Sequence, residues 1–100
     1  MAGRKRKADL ALLKSELKLT DEQEKKIAKA ALNITTIRRA GGWQADVMLG
    51  HALVVIKNKE NNYGVTVIAN RGRAGNYFFK QRENVVERLM GIVNYGMQNM

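Results

Sequence analysis

The hydrophobic period of this chain changes at His51. Upstream, apolar residues recur at helical spacing; downstream, β-branched runs and alternation take over. A period of about 3.6 residues lines one face of a helix and a period of 2 lines one face of a strand, so the two halves cannot be built from one kind of element. The expected class is α+β, in one domain's worth of chain.

Leu10, Leu13 and Leu17, interspersed with Lys14, Glu16 and Lys18, predict a short amphipathic helix over about residues 8–17. Thr20-Asp21-Glu22-Gln23 is a capping-box pattern with acids against the positive end of the next helix. Ile27, Ala31 and Ile34 mark the buried stripe of that helix, with Ala30 and Ile37 beside it. Arg38 and Arg39 suit its last turn, so it is expected to run to Arg39. Gly41-Gly42 would end it, and Trp43–Leu49 reads as a short helical turn carrying Trp43, Val47 and Met48 into the core.

Ala52–Ile56 and Val65–Ala69 predict two strands joined by the polar loop of residues 57–62. Arg71–Asn76 makes a second turn, leading into Tyr77-Phe78-Phe79 as a third short strand. Val86, Leu89, Met90, Val93 and Met97 line one face of a closing helix from about Arg82 to Met97, with Val85 and Ile92 flanking. The expected order is α-α-β-β-β-α: two N-terminal helices, a small three-stranded antiparallel sheet and a C-terminal amphipathic helix. Residues 1–7 are expected to form a basic flexible arm and residues 8–100 a single domain. A three-stranded sheet backed by a C-terminal helix is similar in plan to double-stranded-RNA-binding domains and integrase arm-binding domains.

The chain has no cysteine, which excludes disulfide staples, thiolate catalysis and cysteine-ligated zinc. No apolar run approaches the roughly 20 residues that span a bilayer. The basic start lacks the apolar core of a secretory signal, because Asp9 and Lys14 interrupt it. The expected location is the cytoplasm, with nucleoid association in a bacterium; nuclear import also fits the basic letters.

Charge points to a partner. Eighteen Lys and Arg against nine Asp and Glu leave a net +9. Such an excess favours a polyanion. It concentrates in the tail Arg4-Lys5-Arg6-Lys7, on the second helix (Lys25, Lys26, Lys29) and in residues 71–82. That last segment holds Arg71, Arg73, Lys80 and Arg82 with Gly72, Gly75 and three aromatics, and no acid. Glycines let a backbone approach phosphate, and arginines at alternate positions suit a narrow minor groove. Arg71-Gly72-Arg73 resembles the core of the AT-hook and the hook-like loops of bacterial nucleoid-silencing proteins, with Ala74 where the AT-hook has proline. The resemblance implies that Arg71 and Arg73 insert together. The competing reading is a hairpin turn that needs its glycines for positive backbone angles and leaves its arginines solvated.

Strand alternation sets Phe78 opposite to Tyr77 and Phe79, so on a sheet with a solvent face it becomes a base-stacking platform. The basic tail adds phosphate contacts without sequence information. The expected function is nucleic-acid binding, DNA favoured over RNA, through Arg4, Lys5, Arg6, Lys7, Arg71, Gly72, Arg73, Phe78, Lys80 and Arg82.

No enzyme is expected. His51 is the sole histidine and Ser15 the sole serine, and Asp46 and Glu60 match no ligand spacing with His51. No metal or cofactor is expected either. The alternative is a phage- or mobile-element-type accessory protein that inhibits or assembles with another protein, anchored by Trp43, Met48, Phe78 and the tail from Tyr95 to Met100. A homodimer fits either reading, since small sheets leave an edge or face to cover. Clustering separates the two: nucleic-acid binding needs the cations on one surface, whereas a protein binder needs an exposed apolar patch ringed by charge.

Overall fold

In the computed structural model the backbone is described for residues 2–69, 72 and 74–98, and the side chains for residues 8–69, 72 and 74–96. Helices α1 (Ala2–Leu17) and α2 (Asp21–Ala30) precede strands β1 (Ala31–Arg39), β2 (Gly42–Leu49), β3 (Ala52–Lys59), β4 (Asn62–Ala69) and β5 (Ala74–Phe79), and α3 (Arg82–Gln98) closes the chain. The strands form one antiparallel meander in the order β1-β2-β3-β4-β5. The fold is α+β, but its sheet has five strands where three were expected. The likeness to domains with a three-stranded sheet lapses with that count.

The two added strands come from residues expected to be helical. Thr20 caps α2 through both halves of a capping box, but the helix stops at Ala30. Ile34-Thr35-Thr36-Ile37 is a run of four β-branched residues, each restricted in χ1 within a helix and at ease on a pleated surface. The misleading stripe has a specific cause. Ala31 pairs with Leu49 and Asn33 with Met48, so Leu32 is an extra residue in a β-bulge. The bulge turns both Ala31 and Ile34 inward at three-residue spacing, which imitates a helix, while Leu32 and Ile37 are exposed.

In β2, Trp43, Ala45, Val47 and Leu49 are buried and alternate with Gln44, Asp46 and Met48, a strand period throughout. Met48 therefore lies outside the core, 45% exposed. The β1–β2 hairpin is tight because Gly41 takes φ +79°, and Gly42 passes so close to the Asn58 carbonyl that no side chain fits there.

All three helices pack on one face of the sheet. Leu10, Leu13 and Leu17 of α1, Ile27 of α2, and Val85, Val86, Leu89, Met90 and Val93 of α3 meet Ile34, Trp43, Val47, Val54, Ile56 and Val65 in a single core. Asp9 accepts hydrogen bonds from the Thr36 hydroxyl (2.6 Å) and backbone N–H (3.3 Å), tying α1 to edge strand β1. On the opposite edge, β5 pairs with β4 alone.

A candidate nucleic-acid interface on the open sheet face

The face turned away from the helices is read from the strand register. Ile37, Gln44, Lys57, Gly64 and Phe78 form one row across all five strands. Beside it, nearer the β1–β2 and β3–β4 turns, run Arg39, Gly42, Lys59 and Asn62. Lys80 is exposed just beyond β5 at this same end. Two further rows complete the face: Thr35, Asp46, Val55, Thr66 and Asn76, then Asn33, Met48, Leu53, Ile68 and Ala74. The face thus divides into a basic end and an apolar end, where Met48 and Ile68 are exposed.

Phe78 dominates the basic end at 84% exposure. Tyr77 and Phe79 point to the other side and pack against the core. Its cross-strand partner is Gly64: a Cβ there would stand 3.9 Å from Phe78 Cε1 and 4.0 Å from Cδ1, ordinary contact. A shallow concavity of about 500 Å³ opens beside it, its lining including Arg39, Gln44, Lys57, Gly64 and Phe78.

Residues 31–81 hold seven cations and two acids, residues 8–30 and 82–98 hold equal numbers of each sign, and Arg4, Lys5, Arg6 and Lys7 add four cations at the start of α1. Five ion pairs lie on the helical side among the described residues. Lys14 donates to Asp21 (2.6 Å) and Glu24 (3.1 Å), and Arg38 reaches Glu16 at 3.4 Å. Those hydrogen bonds raise the Lys14 ammonium above its ordinary pKa, and Lys14 in turn holds the Asp21 carboxyl below the ordinary carboxylate range. Among the described residues, Lys57, Lys59 and Lys80 have no carboxylate partner, and Asp46 is the only acid on the strands of the open face.

The segment that looked contiguous in sequence is distributed by the fold. Phe78 and Lys80 belong to the basic end. Gly72, at φ +82°, donates its N–H to the Ala69 carbonyl (3.0 Å) in the β4–β5 turn, at the far, apolar end of the sheet. Arg71 and Arg73 lie outside the described residues, as do the side chains of Arg4, Lys5, Arg6, Lys7 and Met97. Arg82 is on the helical side, donating to the Leu17 carbonyl (2.8 Å) and to Glu83 (3.0 Å). Missed by sequence reasoning are Arg39, Lys57, Lys59 and Gly64; the alternation of Val55, Lys57 and Lys59 through β3 was the available signal. Trp43 is buried and offers no anchor to a partner, unlike Met48 and Phe78.

No protein-family model, curated protein or solved structure matches this chain. A larger concavity, about 1080 Å³, lies on the other side between α3 and strands β3–β5. Two of its polar groups have partners within the protein: His51 Nε2 is 3.3 Å from the Ile92 carbonyl, and the Arg88 guanidinium sits 4.1 Å from the centre of the Tyr77 ring. His51, Asp46 and Glu60 are dispersed between the β2–β3 connection, the open face and the β3–β4 turn. Among the described residues, no helix is long and apolar enough to cross a membrane.

Proposed function

We propose that this protein binds nucleic acid through the basic end of its open sheet face. The reading rests on one observation: Arg39, Lys57, Lys59 and Lys80 gather at one end of an uncovered face, none of them with a carboxylate partner among the described residues. Unpaired cations on a firm surface release counterions from a phosphate backbone, and that release is the main source of sequence-independent affinity. DNA and RNA both fit this chemistry.

Titration of fluorescently labelled oligonucleotides at several salt concentrations tests the proposal. Lys57→Ala/Lys59→Ala should weaken binding and lower the salt slope by roughly 1.4–1.8, the value for two lost phosphate contacts. Lys25→Ala/Lys29→Ala, on α2, is the control and should do less. Equal effects from both pairs would refute a localised interface.

A second reading draws on the apolar end. Met48, Leu53 and Ile68 form a cross-strand apolar row on which Met48 and Ile68 are exposed, and such a patch suits a protein partner. It predicts a partner or a second copy that Met48→Lys/Ile68→Lys would displace.

A further inference from the structure

We infer that the open face takes an unpaired strand, with one base stacked on the Phe78 ring; this rests on the nucleic-acid reading above and names its substrate class. Three observations carry it. First, Phe78 stands on a regular strand, 84% exposed, on the same row as Lys57. Neighbouring strands lie about 4.8 Å apart, so Lys57 is roughly 10 Å from Phe78 across Gly64, within reach of a backbone whose base covers the ring.

Second, Gly64 is the cross-strand partner of Phe78 and presents no side chain, which leaves that flank of the ring open to a base. A phenyl side chain has only two rotatable bonds, so little entropy is lost when a base covers it. Third, the surface is the broad face of a sheet. Bases in a duplex are stacked on one another, and a ring on a flat surface meets the face of a base only when that base is free or flipped out. An unpaired strand presents such faces without that cost. A basic surface with a lone exposed aromatic therefore discriminates single strands from duplex.

The test is fluorescence anisotropy with labelled oligo-dT and oligo-rU of about 15 nucleotides, a length that spans a site of this class, against a duplex of equal length. Phe78→Ala, at an exposed position, leaves the core intact. It should weaken single-strand binding roughly 5- to 100-fold, as loss of one stacked base does, and leave duplex binding unchanged. Phe78→Trp should restore the affinity. If Phe78→Ala has no effect while Lys57→Ala/Lys59→Ala weakens binding, stacking is overturned and the basic-face reading stands. If Phe78→Ala weakens duplex and single strand equally, the ring does not read unpaired bases and the inference also fails. If neither variant changes affinity, the nucleic-acid reading falls with it. Sedimentation of both proteins completes the test: a dimer that dissociates on Phe78→Ala would assign the ring to a contact between copies. The preference between oligo-dT and oligo-rU then distinguishes DNA from RNA.

Discussion

Substituting Gly96 by alanine should destabilise the protein, even though alanine is the better helix former. Gly96 is buried on α3, and a Cβ there would overlap the His51 ring, lying 2.5 Å from Nδ1 and 2.9 Å from Nε2. The ring comes from the β2–β3 connection, contacts the Ile92 carbonyl at 3.3 Å and lies 5.8 Å from the Tyr95 ring. Making room means expelling it. Overpacking of this kind costs about 1–3 kcal/mol, and a lost hydrogen bond about 0.5–1.5 kcal/mol. The gain in helix propensity, at most about 1 kcal/mol, is smaller still this close to the helix end. The net expectation is a loss of about 0.5–4 kcal/mol, at about 4–8 °C in Tm per kcal/mol for a domain of this size.

Gly91, on the same helix, has nothing within reach of an added Cβ, so Gly91→Ala should stabilise by up to about 1 kcal/mol. The decisive assay is a double-mutant cycle by urea unfolding. With His51→Ala in place the obstruction is gone, and Gly96→Ala should become neutral or stabilising. An equal loss in both backgrounds would refute the claim that the His51 ring is what Gly96 accommodates.

Arg82→Ala should lower stability by about 1–2 kcal/mol, because it removes a charged donor from the Leu17 carbonyl at the α1 C-terminus, a partly exposed site. Measured well below Tm, oligonucleotide affinity should change by less than about twofold, since Arg82 sits on the helical side. Acid should weaken the α1–α2 junction. The Asp21 carboxyl is held below its ordinary value of 3.8, so its contribution is present above that pH and lost as pH falls through the lowered value. Lys14 is raised above 10.5, so its contribution holds below that pH and fades as pH rises through the raised value. Thermal melts of the wild type and Lys14→Met should therefore differ at pH 7 and converge near pH 2; a constant difference would refute the pairing.

Much of the chain was legible locally. The leucine stripe of α1, the capping box of α2, the β3 and β4 strands and the apolar face of α3 all follow from periods that one element imposes on its own residues. The expectation that Phe78 opposes Tyr77 and Phe79 held for the same reason. Residues 31–49 defeated that logic. A bulge at Leu32 set two inward residues at helical spacing, and the alternation of β2, though present in the sequence, is short and has the apolar Met48 on its outward side.

The sequence by itself determined the α+β class, the absence of any cysteine chemistry, the net +9 charge and the sites of most turns. Those are properties of composition and of neighbours within a few residues. Only the tertiary structure decided which cations act together. Arg82 is two residues from Lys80 in sequence yet is turned to a helix end, while Arg39 from β1 and Lys57 and Lys59 from β3 come to one end of the sheet. Register places side chains by pairing between distant segments, and no local period records that. The uncovered face has the same origin: three helices suffice for one side of a five-stranded sheet, and the other side, with Phe78 upon it, is left to solvent or to a ligand.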